Sequence, residues 1–523
     1  MRARRKAAPL APLPRLSFSF ESRLLVGICL LALALRLWPL GGFSTEYDEG
    51  VYWQSLRALA DGHALFSSVF SSQPPFFLLS LFPLYLLFGQ TLAAARLAIV
   101  IFSLAGIVAI YFAGAAISGR WAGLAASLLL ALDPLYITGS ITLQAEIPSL
   151  TWALAAVALA LHAPRASLQR GRLLAAASGV VLGLGVLTKL WDVVAVVPVA
   201  LYLAQPLLAR LFTVDGGKLR AASRAELAAP ARDAARLLAY CAGGALAALV
   251  VVLLPFAASW PALYAQVVSF HLAAGRSTHE GLLHNLGFIW HNLRVDTLLI
   301  LGAAALVLAA LRRDWRAVPP LLWLAASVAL LLTQHPLFEH HLVLLVPPLA
   351  LFTGVTLGSL VPLARPPLAA RPALDARAWR ALGPALLGVG ALVLLWSSMV
   401  VVQAAARPVP QHVAQVAAAL RAATVPGDLV VTDDQYVAGL ADRTVPAALV
   451  DTSSVRITSG YLTAQQLEDA ITQADARTIL FSSGRFAQVP GFKQWVNANF
   501  SQIADFGGGR GLYIRQPKIP VTA

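Results

Sequence analysis

Residues 46–49 read Glu46-Tyr-Asp48-Glu49, an acidic cluster placed shortly after a long apolar run ends. Carboxylates beside a membrane surface are solvated at little cost, so such a cluster can be ordinary loop charge. It can also hold a general base above the hydrocarbon, where a carboxylate takes a proton from an attacking hydroxyl. The next forty residues favour chemistry. Residues 51–60 (VYWQSLRALA) pattern as an amphipathic helix, with Trp53, Leu56, Leu59 and Ala60 toward lipid and Gln54, Arg57 and Asp61 toward water. Gly62 ends it. Then come Ser72-Gln73-Pro-Pro75 and a short apolar run, 74–89, interrupted by Pro83.

Further ionisable residues lie near the same surface. Glu146 stands at the outer end of an apolar run, where a carboxylate costs a few kcal/mol and calls for a partner. It reads either as an acceptor or sugar contact, or as a partner for Arg36 or Lys189. Arg36 reads as a snorkelling side chain. Asp133, before Pro134, reads as a helix-end or buried polar contact, and Lys189 and Asp192 read as a pair across a tight turn. Eight of the ten histidines (63, 271, 279, 284, 291, 335, 340, 341) fall between the apolar runs on the same side as these acids. His340 and His341 follow Glu339 at the start of a run. Arg276 lies among histidines in Phe270-His-Leu-Ala-Ala-Gly-Arg276-Ser-Thr-His279, a basic surrounding suited to phosphate. The histidine spacing matches no strong ligand motif. No metal is assigned and no cofactor is required, although a divalent ion is compatible with the residue types.

The elements that position these residues are set by hydropathy. Of 523 residues, 58% are hydrophobic and only 12% are charged, about half the charge of a soluble domain. This excludes a soluble enzyme and a disordered chain. Eleven runs are long enough to cross a bilayer: 24–40, 93–117, 121–137, 143–162, 173–188, 191–211, 237–258, 297–311, 318–333, 342–361 and 382–404. The run 74–89 is read as a juxtamembrane helix, because a twelfth span would invert every later loop. With eleven, the loops on one side hold 22 Lys/Arg and those on the other hold four, namely Arg57, Lys189, Arg276 and Arg294. The bias puts the N-terminus in the cytoplasm and the C-terminus outside. The net charge of +14 is thus a topology signal and not a nucleic-acid footprint.

The expected organisation is a basic tail (1–23), a transmembrane region (24–405) with long outer loops 41–92 and 259–296, and a small extracytoplasmic α/β domain (406–523). In that domain Leu429–Thr432, Thr478–Ser482 and Leu512–Arg515 read as strands. Residues 464–474 read as an amphipathic helix capped by Thr463, residues 492–500 as another helix, and Gly507–Gly509 as a turn. Cys29 and Cys241 both lie in apolar runs and form no motif.

The order Asp48-Glu49, aromatic helix, Gly, Pro-Pro, Phe88-Gly89 and Ala95-Arg96-Leu97 resembles polyprenyl-phosphate-sugar-dependent glycosyltransferases of the C-type membrane fold. The nearest families are the protein O-mannosyltransferases and the lipid A aminoarabinose transferases. The resemblance extends in layout over 24–405 and includes Glu146-Ile-Pro148, Leu187-Thr-Lys189 and His340-His-Leu342 with Pro347-Pro348. It implies an all-α polytopic fold. It further implies Asp48 as the base, Glu49 as a companion orienting acceptor or sugar, and Arg96 at the donor phosphate. Arg276 would be the phosphate arginine of the second loop, with His340 and His341 beside it, and Gln73 and Glu146 would contact substrate. Gln73 stands where the aminoarabinose transferases carry a phosphate-contacting lysine, and it brings a hydrogen bond without a charge.

The implied reaction is inverting transfer of a sugar from a polyprenyl-phosphate carrier to a protein, lipid or glycan acceptor at the outer face of a bacterial plasma membrane. A lipid phosphate is already a good leaving group, so one base and a few cations suffice. The alternatives are a ligase of lipid-linked glycans and a membrane transporter. A transporter would concentrate polar groups at the midplane of repeated halves, and the chain shows neither pattern.

Overall fold

The computed structural model describes residues 19–215, 218–277, 280–361 and 376–515. The N-terminal basic residues 1–18, His279 and most of the loop 362–381 lie outside the described residues.

Helices occupy all eleven apolar runs. The first are α1 (Phe20–Leu37), α2 (Tyr47–Ala60), α3 (Phe76–Leu87), α4 (Leu92–Ser118), α5 (Arg120–Leu132), α6 (Pro134–Ser140), α7 (Glu146–His162) and α8 (Leu168–Thr188). Among the described residues, seven helices are long and apolar enough to cross a membrane alone, and nine if each of two bent pairs is one span. One such pair is α5 with α6, bent by 64° where Pro134 follows the cap Asp133. The two runs left over are α1, which carries Glu21, Arg23 and Arg36, and the short stretch Leu190–Leu203. At 12 residues, α3 is roughly 18 Å long and too short to cross, as expected of a juxtamembrane helix.

Close helix approaches use small residues, the way helices associate when lipid removes the hydrophobic drive. A Cβ at Gly179 of α8 would fall 1.8 Å from the Cys241 carbonyl oxygen of helix Arg224–Leu253. The helix Val346–Gly358, reached through the turn Glu339–Leu345, is buried along its whole length at the centre of the bundle. The second long loop expected, 259–296, is largely helical: Trp260–Tyr264, a π turn Ala265–Ser269, Phe270–Ser277 and Leu282–Leu293.

The C-terminal segment folds as a small α/β unit. Its sheet orders Val430–Thr432, Thr478–Phe481, Arg510–Arg515 and Phe500–Gly507, with the first pair parallel and the others antiparallel. Thr463 caps helix Ala464–Gln473 in a capping box with Gln466. The strand Phe500–Gly507 was not expected. It is an exposed edge with a broken register, so it lacks the apolar run that marks a buried strand.

The amphipathic segment differs from expectation. Its helix begins at Tyr47, so Asp48 and Glu49 occupy the first turn and not a preceding loop. Trp53 and Leu56 are buried in protein and do not face lipid. Trp53 packs on Tyr436 and against Gly439 of the C-terminal unit, where a Cβ would fall 2.3 Å from the indole. Gln54, expected in water, is buried and donates to the carbonyls of Gln435 and Arg443. Gly50 completes the contact, since its absent Cβ would lie 2.5 Å from the Tyr436 nitrogen. Gly50→Ala should therefore cost about 1–3 kcal/mol. It should lower the thermal midpoint and speed proteolytic release of the C-terminal unit; equal proteolysis of both proteins would show that this contact does not hold the unit in place.

Candidate active site

The site is built around the first turn of α2. Residues 41–46 bring the chain from α1 to α2, with the Phe43 N–H on the Arg407 carbonyl at 3.0 Å and the Glu46 N–H on the Ser44 hydroxyl at 3.1 Å. Acids in a first helical turn are favoured by the helix dipole. Glu49 is fully buried. Arg96 of α4 donates to it from Nε at 2.7 Å and Nη2 at 2.6 Å, and the Leu143 N–H adds a third bond at 2.8 Å. Arg96 Nη1 donates to the Leu40 and Gly42 carbonyls at 2.8 and 2.7 Å. All three guanidinium nitrogens are thereby engaged. Arg96 was expected at a donor phosphate and Glu49 beside substrate; in the structure the two form a buried pair joining α1, α2, α4 and the chain before α7.

Asp48, next in the turn, points to the rim and is half-buried. Its carboxyl is pushed up to about 7, first by burial, then by the carboxylates of Asp451 and Glu146, with Lys189 opposing. Glu146 opens α7 and is buried. The Lys189 ammonium sits on it and over the Trp191 ring, 4.1 Å from the centroid. Of the two partners expected for Glu146, Lys189 is the one. His340 bridges two acids, with Nε2 3.8 Å from Glu146 and Nδ1 3.7 Å from Glu46. His341 is buried, edge-on to His340 and Trp191.

Two other expectations are corrected. Arg36 does not snorkel. It is fully buried, donates to the Ala32 and Ala131 carbonyls and lies over the Tyr136 ring. Asp192 makes no hydrogen bond to Lys189, whose ammonium sits on Glu146. Asp133 is the buried helix cap expected, accepting from the Tyr136 N–H at 2.8 Å.

Gln73 is buried near the Tyr52 hydroxyl, with its carbonyl accepting from Ser71 at 3.0 Å. Arg276 is exposed at the end of helix Phe270–Ser277, apart from the acids. The fold thus gathers Asp48, Glu146, His340 and His341 with Glu46 and Lys189, places Glu49–Arg96 beneath them, and leaves Arg276 outside.

Glu146, His340 and His341 bring one ligand atom each within 4.8 Å of one another. The Lys189 ammonium sits on one oxygen of Glu146, and His341 Nδ1 accepts the Phe338 N–H at 3.3 Å, which puts the imidazole proton on Nε2.

The C-terminal unit supplies contacts that no motif announced. The Thr452 N–H donates to the Tyr47 hydroxyl at 2.8 Å. Arg485 stacks over the Tyr47 ring at 3.8 Å, and Arg456 over Phe70 at 3.9 Å. Asp451 faces Asp48 and Tyr47. The only local signal was a run of polar residues, Asp451-Thr-Ser-Ser, breaking an apolar stretch.

The chain was compared with known proteins. The family model of dolichyl-phosphate-mannose-protein mannosyltransferases matches residues 72–222. No curated protein sequence matches. Among solved structures, ArnT from Cupriavidus metallidurans bound to undecaprenyl phosphate superposes with a TM-score of 0.60 at 16% identity, covering 94% of this chain and 98% of that one. The archaeal oligosaccharyltransferase AglB from Archaeoglobus fulgidus, in complex with an inhibitory peptide and a dolichol-phosphate, gives 0.53 at 14% identity, covering 96% and 75%. The arabinofuranosyltransferase AftD from Mycobacteria gives 0.50 at 15% identity, covering 95% and 42%. The chain has the C-type glycosyltransferase fold. It is a multi-pass membrane protein.

In this C-type fold the buried pair links four segments of the chain. Glu49→Ala would leave the Arg96 charge uncompensated and should cost about 3–5 kcal/mol. Arg276→Ala, at an exposed position, should change stability by less than about 0.5 kcal/mol. Thermal unfolding of both variants in detergent checks the contrast, and equal stability of the two would contradict it.

Proposed function

We propose that this protein is a membrane glycosyltransferase that moves a sugar from a polyprenyl-phosphate carrier to an acceptor at the outer membrane face, with Asp48 as the base. The observation that carries the reading is the placement of Asp48. It stands at the rim on a turn held from below by a buried ion pair, with its carboxyl pushed into the range where a base works near neutral pH. The mannosyltransferase family match over 72–222 supports it, as do structural neighbours bound to undecaprenyl phosphate and dolichol-phosphate.

In the step we propose, the acceptor oxygen forms a bond to the anomeric carbon. The bond from that carbon to the phosphate oxygen breaks, and its electron pair leaves with the lipid phosphate. The acceptor proton passes to Asp48. The attack comes from the face opposite the leaving group, so configuration inverts. Glu146, held by Lys189, lines the acceptor or sugar side, and Gln73 offers a hydrogen bond. No cofactor enters this step. The sugar is a hexose or pentose, and the acceptor a protein, lipid or glycan.

Asp48→Asn should reduce transfer by about 10²–10⁴ with membrane insertion intact, measured with a panel of polyprenyl-phosphate sugars; near-normal transfer would sink the reading. Because Asp48 must be ionised to accept a proton, the rate should rise with pH through a midpoint near 7 and be lost below it. A profile flat from pH 5 to 9 would exclude Asp48 as the base.

The charge bias of the loops supports a cytoplasmic N-terminus and an outer C-terminal unit in a bacterial plasma membrane. In intact cells, a cysteine at Gln465 should react with an impermeant maleimide and one at Arg232 should not; the reverse pattern would invert the topology.

A further inference from the structure

A buried guanidinium that keeps one nitrogen free of protein acceptors can receive an anion at that nitrogen. Arg456 is such a residue. It is 8% exposed. Its Nε donates to the Tyr461 carbonyl at 3.3 Å, and its Nη1 to the carbonyls of Ala448 and Asp451. These acceptors are neutral. The Asp451 carboxylate accepts from the Ser453 N–H at 2.8 Å and attracts Arg456 from beyond ion-pair distance. Among the described residues Arg456 makes no ion pair, and its Nη2 has no hydrogen-bond partner. Arg443, in the same unit, shows the contrast: all three of its nitrogens donate to carbonyl or hydroxyl oxygens, a closed structural arrangement.

The position of Arg456 says which anion. Its guanidinium lies flat on Phe70, 3.9 Å from the ring centroid, and Phe70 enters the Ser71–Gln73 turn of the first outer loop. Phe270 packs edge-on against both Phe70 and Tyr461, so the guanidinium lies where the first outer loop, helix Phe270–Ser277 and the C-terminal unit meet. Its charge acts on Tyr47, the residue before Asp48 in α2. The leaving phosphate needs a cation here, and Arg96 is spent on Glu49 and Lys189 on Glu146.

We propose that Arg456, carried by the C-terminal unit, binds the phosphate of the lipid-linked donor, so that the site is complete only when that unit is docked. The two N–H groups left on Nη2 can donate to phosphate oxygens, and stacking on Phe70 sets the guanidinium plane. This inference rests on the lipid-phosphate reading above, and its test separates the two.

The full-length protein in detergent is titrated with undecaprenyl phosphate, undecaprenol, phosphatidylglycerol and inorganic phosphate. Wild type should bind undecaprenyl phosphate more tightly than the other three. Arg456→Gln should weaken undecaprenyl phosphate about tenfold, the loss expected for a charge-assisted hydrogen bond, and leave undecaprenol unchanged. Arg456→Lys should recover part of the loss. Because Arg456→Gln also removes three contacts within the unit, a second measurement uses unmutated protein: undecaprenyl phosphate should protect Arg456 from phenylglyoxal, as read by peptide mass spectrometry, and undecaprenol should not. Unchanged affinity in the glutamine variant, or no protection, overturns the assignment of Arg456. Failure of wild type to prefer undecaprenyl phosphate over undecaprenol overturns the donor reading itself, and tighter binding of phosphatidylglycerol would make Arg456 a headgroup site.

Discussion

The structure depends on one buried ion pair. Glu49 and Arg96 are both removed from water, and at low dielectric neither charge tolerates an empty hydrogen-bonding position. Each is filled: Glu49 by the guanidinium and a backbone N–H, Arg96 by the carboxylate and two carbonyls. The partners come from α2, α4, the end of α1 and the chain before α7, so meeting the valences of two side chains fixes four segments. Neighbouring residues on a helix are about 100° apart. With Glu49 turned inward, Asp48 is obliged to face the rim.

Above this pair the charges are uneven in number. Glu46, Asp48, Glu146 and Asp451 converge on a space where Lys189 is already committed to Glu146 and His340 lies between two of the acids. Asp48 makes no ion pair among the described residues, and burial and repulsion raise its proton affinity against the pull of Lys189. A group held this way is poised to take up a proton near neutrality, which is what a base for a hydroxyl acceptor must do.

The C-terminal unit belongs to this arrangement. It reaches α2 through Tyr436, Gly439 and the carbonyls of Gln435 and Arg443, reaches Tyr47 through Thr452 and Arg485, and reaches the first outer loop through Arg456. Most of these contacts are polar groups whose partners lie on the other segment. The unit closes the site from above as the ion pair supports it from below.

Local patterns carried much of this information in the sequence. Apolar length placed the spans, the short proline-interrupted run marked a helix too short to cross, and the Thr463 cap and glycine turn marked the small unit, because each depends on neighbours within a few residues. The acid cluster, Glu146, Lys189 and the His340–His341 pair were also legible, since ionisable groups near hydrocarbon are too costly to be placed freely. Which of them pair was not. Arg96 read as a ligand for phosphate and proved to be the partner of Glu49, 47 residues away. The aromatic face of α2 read as lipid-facing and proved to be the docking surface for a segment nearly 400 residues later. Asp451 and Arg456 carried no motif at all. Sequence determines what each residue can do and what its solvation costs; only the tertiary structure decides which charge lies opposite which, because that choice is made by burial between segments far apart in the chain.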